Sequence, residues 1–303
     1  MIDRTPLAES AVAQPPANRG CIPAPPSVRV GAVQYLNTRP LVHGLPGPGI
    51  ALSYDLPSRL ADHLAGGRLD VALIPSIEFF RGDAYRLVSD ACIGCRGPVM
   101  SVKLLFRTRP DRVEHLAVDE GSRTSVALAR ILLAERCGVA PHVDVLPIRS
   151  EVSETSADAV LLIGDRALGT PRGAFQLVWD LGDEWCRWTG LPFVFAVWAA
   201  RRDVPAETLR RVEPVLTAAR DSGRAQLAAI AAAEASAHGL TVPQCLGYLR
   251  DNLHYDLGLR ERAALALFHD RAAALSLAPR GIDVAAALAV PRSPSASSPP
   301  MAQ

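Results

Sequence analysis

Short apolar runs alternate with amphipathic stretches along most of the chain. Strands are predicted at residues 28–34, 50–54, 69–74, 99–106, 113–118, 142–148, 159–163, 175–179 and 193–198. Helices are predicted to begin near Pro57 and Ser76, and a third is predicted to span residues 122–137. Residues 205–277 are rich in Ala, Leu and Arg, and they predict three or four further helices. This alternation indicates an α/β fold with parallel sheets covered on both faces.

The strands fall into two units, which predicts two lobes around a central cleft. Residues 28–106 and 199–286 are assigned to lobe 1, with a helical C-terminal region, and residues 107–198 to lobe 2. The segments "LDVALIPS" and "ADAVLLIGD" both run from an Asp through a buried strand to a small polar tip. Because ligands bind at the carboxyl ends of strands in open α/β sheets, Ser76 and Asp165 are expected to face the cleft.

The two termini have a different composition. Residues 1–27 and 287–303 are rich in Pro, Ala and Ser and are predicted to be disordered. The N-terminal segment lacks the continuous apolar stretch of a signal peptide, and no apolar run reaches the length of a membrane span. We therefore expect a cytoplasmic protein that has no membrane partner.

Overall charge gives no reason to expect a nucleic-acid partner, because the formal net charge is only +1. Lys103 is the only lysine, so an anionic ligand would be met by Arg, hydroxyls or backbone N–H groups. The His residues show no paired metal-ligand spacing, the one Cys pair has neither a second pair nor an adjacent His, and no phosphate-binding loop is present. Cys92 and Cys95 form a single C-x-x-C, predicted to be two packed thiols in a loop. We expect neither a metal nor a cofactor.

The segment "AVDEGSRTSVALARILLAE" is a candidate anion site. A strand ends, Gly121 turns, and a helix begins whose first turn offers free backbone N–H groups and the positive end of its dipole. The hydroxyls of Thr124 and Ser125 add donors, a combination that suits a carboxylate or a phosphate. Ordinary N-capping by Ser122 or Thr124 is the alternative interpretation.

Three further polar residues stand at strand ends or within apolar strands. Asn37 follows the first strand, Ser101 lies in "GPVMSV", and Asp165 follows the strand 159–163. Each also fits an ordinary structural role: Asn37 as a turn residue, Ser101 as a small satisfied strand residue, and Asp165 as a helix cap. Together they predict a cleft rich in neutral donors and poor in strong acids, bases and metal ligands.

Six motifs then carry a family resemblance. They are, in order, "YLNTRPLVHGL", "LDVALIPSIEF", "GPVMSV", "SRTSVAL", "VLLIGDRAL" and "DEWCRWTGLPFVFAVWAARR". The set resembles the chorismate dehydratases of the futalosine route to menaquinone, from about Val28 to Leu277. A sister enzyme of that route has a His at the tip of the strand that ends in Ile163, where this chain has Gly164 and Asp165.

The resemblance implies a fold, an activity and site residues. It implies the two-lobed fold of type II periplasmic binding proteins, and a lyase that removes water from chorismate to give 3-[(1-carboxyvinyl)oxy]benzoate. Asn37 and Ser101 match the active-site pattern of the family. By position, the substrate-binding residues are Ser76, Thr124, Ser125, Gly164 and Asp165. The resemblance assigns Cys95 no role, and Arg39 is interpreted as a solvated turn residue.

Two mechanisms and two other functions remain open from the sequence. The enolpyruvyl carboxylate of chorismate could take the C3 proton itself, or Asp165 or Glu78 could serve as the base. The chain could instead be a solute-binding protein that closes on a small carboxylate without chemistry. It could also be the sister enzyme, which the glycine at position 164 disfavours. The oligomeric state is not predicted.

Overall fold

Two mixed β-sheets form the framework of the structure, a computed structural model that describes residues 27–81, 84–169 and 175–288. The strands are β1 (Val28–Val33), β2 (Ile50–Asp55), β3 (Val71–Pro75), β4 (Tyr85–Cys95), β5 (Val102–Phe106), β6 (His115–Asp119), β7 (His142–Leu146), β8 (Ala159–Ile163), β9 (Leu177–Asp180), β10 (Phe193–Arg201) and β11 (His254–Asp256). The first sheet has the order β11-β4-β10-β3-β1-β2, and the second has the order β7-β6-β8-β5-β9.

Ten α-helices lie between and after the strands. They are α1 (Pro57–Ala65), α2 (Ser76–Phe79), α3 (Thr124–Cys137), α4 (Asp165–Leu168), α5 (Leu181–Thr189), α6 (Ala206–Ala225), α7 (Leu227–Glu234), α8 (Val242–Gly247), α9 (Leu259–Ala274) and α10 (Val284–Ala287), as counted over the described ranges. A 3₁₀ turn at Leu36–Val42 and a π-helical turn at Tyr248–Asn252 complete the elements that concern the site. Over the same ranges, no helix has the length and apolarity needed to cross a membrane.

The sheets are mixed, whereas the alternation of strands and helices predicted parallel ones. β1 pairs in parallel with β2 and β3, and β6 with β7 and β8. β10 is antiparallel to β3 and β4, and β5 is antiparallel to β8 and β9. The reason is that β5 and β10 each enter a sheet from the other one. They therefore run away from the edge where the two sheets meet, whereas the neighbouring strands β3 and β8 run toward that edge.

The two crossings also correct the predicted lobe boundaries of 106 and 198. β5 already belongs to the second sheet, and the whole of β10 belongs to the first. The chain therefore crosses between the sheets at residues 96–101 and 181–192. The C-terminal helices remain with the first sheet, since α6 packs against β4 and α9 against β10.

β4 was missed because its polar positions, among them Arg86, Ser89 and Asp90, hide the apolar pattern. Cys92 and Cys95 consequently lie in a buried strand and not in a loop. The predictions of disordered termini fall mostly on residues outside the described ranges. The two described residues of the C-terminal segment are packed, because Ala287 ends α10 and Leu288 is buried.

The polar segment that follows β1 is held by a close helix contact. It forms the 3₁₀ turn Leu36–Val42, with Asn37, Thr38 and Pro40 all buried, and this turn packs against α6. α6 approaches so closely at Gly223 that a Cβ there would lie 2.0 Å from the backbone oxygen of Pro40. Only glycine allows the helix and the turn to meet in this way.

Replacing Gly223 by Ala should therefore destabilise the protein. The clash is with backbone, which cannot rotate aside, so we expect the free energy of unfolding to fall by about 1–3 kcal/mol. Urea denaturation monitored by circular dichroism measures it. Gly247→Ala is the matched control, because it is also helical and its Cβ would meet nothing closer than 3.8 Å. That variant should keep or gain stability, by up to about 1 kcal/mol. Equal effects in the two variants would contradict the packing argument.

Candidate active site

A cavity lies where the two sheets meet, and its empty space, including the opening to solvent, is about 500 Å³. It is lined by the carboxyl ends of β1, β3, β6 and β8 and by the beginnings of α3, β5 and β10, together with parts of β4, α1 and the 3₁₀ turn. The position agrees with the cleft that was predicted from the strand ends.

Neutral groups provide most of the polar surface of this cavity. They are the side chains of Tyr35, Asn37, Ser101, Ser122, Thr124 and Ser125. Among the described lining residues, Arg123 is the only charged one, and its guanidinium is already engaged. That group lies 2.8 Å from both carboxylate oxygens of Asp62 and 3.2 Å from Glu78. The cavity therefore offers hydrogen bonds without an unpaired cation.

Asn37 reaches the cavity from the 3₁₀ turn and is 9% exposed. The Thr38 hydroxyl donates to its side-chain oxygen at 3.2 Å. This bond fixes the orientation of the amide and leaves the NH₂ group as a donor. Arg39, which was predicted to be a solvated turn residue, instead pairs with Glu234 of α7 at 3.2 Å.

Ser101 is presented by a strained loop. Met100 has a φ of +61°, and the Ser101 N–H donates to the Val99 carbonyl at 2.7 Å. These are the features of the rare γ-turn with a positive central φ. The carboxylate of Asp180 holds the turn, accepting the N–H groups of Val99 at 2.9 Å and Met100 at 2.7 Å. Such strain persists where the surroundings enforce it, and it concentrates at functional sites.

Asp180 also caps α5 by accepting the N–H groups of Gly182 and Asp183. Burial raises the pKa of Asp180, and these backbone hydrogen bonds act in the opposite direction. A single carboxylate thus joins the loop that carries Ser101 to the start of a helix.

The hydroxyls at the start of α3 are of two kinds: one is hydrogen-bonded within the protein, and others line the cavity. Thr124 Oγ1 accepts the N–H of Ile77 at 3.2 Å and lies 3.4 Å from the Ser76 hydroxyl, so it links the two lobes. The N-cap position is Arg123, and no side chain caps the helix. Ser122 was considered only as a cap, yet its buried hydroxyl lines the cavity with no hydrogen-bond partner in the described structure. Ser125 is buried and also lines the cavity.

Ser76 and Asp165 are not part of the cavity wall, which corrects their expected position. The wall is formed one residue earlier in each segment, by Pro75 and Gly164. The Ser76 hydroxyl donates to the Val194 carbonyl at 2.8 Å. The side chains of Ser76 and Asp165 therefore point away from the cavity, and the residue before each of them faces it.

The Asp165 carboxylate joins the lobes. It accepts the Leu36 N–H at 3.0 Å and lies 3.4 Å from His238 Nε2. Burial raises its pKa, while the hydrogen bond from Leu36 and the His238 charge lower it. Glu78, the other candidate base, is buried between Arg81 and Arg123, 3.3 and 3.2 Å away. Neither carboxylate lines the cavity.

Gly164 and Tyr35 form one wall of the cavity. Gly164 has a φ of +59°, and a Cβ there would lie 2.6 Å from the ring of Tyr35, so this position requires glycine. The Tyr35 hydroxyl is buried without a hydrogen-bond partner in the described ranges, close to Gly121. Burial raises its pKa, and nearby Asp119 raises it further. Tyr35 is therefore a neutral phenol in the cavity wall.

The two kinds of hydroxyl should separate in a stability measurement. Thr124→Val leaves the Ile77 N–H without its acceptor, so we expect a loss of about 1–3 kcal/mol in the free energy of unfolding. Ser122→Ala removes a hydroxyl that bonds to nothing described, and it should stay within about 0.5 kcal/mol of the parent protein. Chemical denaturation of both variants makes the comparison. A larger loss in Ser122→Ala would show that its hydroxyl is structural.

Comparison with known proteins gives matches over most of the sequence. A family model described as menaquinone biosynthesis matches residues 28–274. The chorismate dehydratase of Thermus thermophilus is 32% identical to this chain over 257 residues, which covers 79% of this chain and 93% of that protein.

Solved structures with a similar fold include binding proteins. A protein from Archaeoglobus fulgidus aligns with a TM-score of 0.64 at 17% identity, covering 83% of this chain and 98% of its own. The periplasmic aliphatic sulphonate binding protein of Escherichia coli aligns with a TM-score of 0.60 at 18% identity, covering 92% and 97% of the two chains. These likenesses concern the fold, and they confirm the predicted periplasmic-binding-protein-like architecture.

Proposed function

Because the chain belongs to the menaquinone biosynthesis family, we propose that it is a chorismate dehydratase, which converts chorismate to 3-[(1-carboxyvinyl)oxy]benzoate and water. The observation that carries this proposal is the cavity at the strand ends. Asn37 and Ser101, the two residues expected in the active site, both line this cavity, and so does the N-terminus of α3. The relative from Thermus thermophilus supports the same reaction.

The reaction needs positioning more than strong acid or base catalysis. Loss of the C3 hydrogen and the C4 hydroxyl makes the ring of chorismate aromatic, so the elimination is strongly downhill. Holding the reacting groups in the correct conformer and stabilising the developing charge are then the main tasks of the protein. A cavity of fixed neutral donors performs both.

The proton acceptor in this proposal is the substrate itself. The enolpyruvyl carboxylate hangs from C3 and takes the C3 proton. The C–H electron pair then forms the new ring double bond while the C4–O bond breaks, and the leaving hydroxide takes up the proton that the carboxylate removed from C3 and departs as water. Asp165 and Glu78 fit the base role less well, because both are engaged away from the cavity. The described part of the cavity wall holds no Asp, Glu or His side chain.

The side chains that line the cavity bind different groups of the substrate. Asn37 offers its NH₂ group, and Ser101 its hydroxyl, to the leaving hydroxyl and the enolpyruvyl carboxylate. The first turn of α3, with Ser122 and Ser125, holds the ring carboxylate through hydroxyls and backbone N–H groups. We expect this group of contacts to bind the ground state and the transition state alike.

Two other functions are weaker. The sister enzyme carries a His at the tip of the strand that ends in Ile163, but Gly164 has a positive φ and contacts the Tyr35 ring, which leaves no room for a side chain. A solute-binding protein that does no chemistry shares the fold, and only a turnover measurement separates it from a dehydratase.

The test is to incubate purified protein with chorismate and follow both the loss of chorismate and the appearance of the aromatic product by chromatography and mass spectrometry. We expect catalytic turnover in the wild-type protein and an about 10²- to 10³-fold lower kcat in Ser101→Ala. Binding of chorismate without product would favour the solute-binding function. Equal turnover in Ser101→Ala would remove Ser101 from the active site.

Substitutions at Asn37 should separate binding from turnover. Asn37→Ala leaves space for water, so we expect binding to survive while kcat falls about 10²- to 10³-fold. Asn37→Asp puts a carboxylate into a cavity that receives a dianion and replaces the donor by an acceptor, so it should impair binding as well. Thermal melting, chorismate affinity and kcat of both variants give the comparison. Near-normal turnover in a stably folded Asn37→Ala would show that Asn37 is only a turn residue.

A further inference from the structure

Tyr248 is a buried phenol without a formed hydrogen bond. It opens the π-helical turn Tyr248–Asn252 after α8, and its side chain is almost fully buried. Its hydroxyl has no hydrogen-bond partner of good geometry in the described ranges. Buried hydroxyls are normally paired, so one that is not paired calls for an explanation in function. π-Helical turns, too, occur frequently at functional sites.

The polar neighbours of this hydroxyl are the two expected active-site residues. Burial raises the pKa of Tyr248, while the Ser101 and Asn37 side chains lie close enough to favour its ionised form by hydrogen bonding. The same π-helical turn is fastened to the Ser101 loop, because Asn252 Nδ2 donates to the Pro98 carbonyl at 2.9 Å. Tyr248 therefore stands behind Ser101 and Asn37, outside the lining of the cavity.

Of these two neighbours, Ser101 has the greater need of a hydrogen-bond donor. The Asn37 side-chain oxygen already accepts the Thr38 hydroxyl. Among the described residues, the Ser101 hydroxyl makes only a long contact of 3.4 Å with the Val99 carbonyl. A serine hydroxyl has one hydrogen and two lone pairs, so it can accept from one group and donate to another.

We propose that Tyr248 is a positioning residue of the dehydration, whose O–H donates to Ser101 Oγ once chorismate is bound and directs the Ser101 hydrogen to the departing C4 hydroxyl of chorismate. This inference rests on the proposed function. Because burial raises its pKa, the phenol stays protonated and remains a donor throughout the pH range of an assay. Accepting this bond also polarises the Ser101 hydroxyl, which makes it a better donor to the leaving group.

Tyr248→Phe tests the role, since it removes the oxygen and keeps the ring. The lost hydroxyl has no formed partner, so the melting temperature should not fall. We expect kcat to fall at least about tenfold, because an interaction made in the transition state is lost, while KM stays within about twofold. Tyr255→Phe is the matched control. Tyr255 is also buried with an unpartnered hydroxyl, and it lies on β11 outside the cavity wall, so its kcat should not change.

A double-mutant cycle shows whether the effect passes through Ser101. In a Ser101→Ala background, Tyr248→Phe should cause no further loss of kcat. Unchanged kcat in Tyr248→Phe, an equal loss in both backgrounds, or a fall in melting temperature that accounts for the loss would each overturn the proposal. In those cases the wild-type protein still converts chorismate. Absence of wild-type turnover would instead overturn the proposed function and this inference together.

Discussion

The structure depends on the polar contacts that hold the two sheets together at their strand ends. These edges carry backbone N–H groups that have no partner within their own element, and burial makes each unpaired group costly. Two side chains of the second lobe satisfy such groups of the first. Thr124 accepts from the Ile77 N–H, and Asp165 accepts from the Leu36 N–H. The cavity is the space that these contacts leave between the lobes, so its width and lining follow from them.

This constraint separates the polar residues by role. Ser76, Thr124 and Asp165 have their hydrogen-bonding groups committed within the protein. The hydroxyls of Tyr35 and Ser122, which line the cavity, are buried and unpaired in the described structure. A folded chain retains unpaired buried hydroxyls at a cost in stability, so these two mark part of a surface on which a ligand completes the hydrogen bonding.

Local patterns predicted most of the elements, although not β4, because each element depends on neighbours in the chain. α1 begins at Pro57, and β8 spans the predicted residues. Contacts between distant segments could not be predicted in this way. The cavity wall is formed by the residues just before Ser76 and Asp165. The sequence could not show this, because the packing of both sheets decides whether a side chain faces the cleft or the other lobe. Tyr248, whose pKa responds to the Ser101 and Asn37 side chains, comes from far along the chain, and no spacing in the sequence indicates it.

The charges around the cavity bear on the proposed chemistry. A carboxylate that pairs with a guanidinium has its pKa lowered and becomes a weaker base, whereas one that is desolvated among neutral groups keeps or gains basicity. Arg123 stands at the cavity, but Asp62 and Glu78 neutralise it. The enolpyruvyl carboxylate of a bound chorismate would therefore meet hydroxyls, an amide and a helix N-terminus. Those groups orient it without removing the basicity that it needs to take the C3 proton. A cavity that met the same carboxylate with a free arginine would bind the substrate more tightly, yet would weaken the base on which the proposed elimination depends.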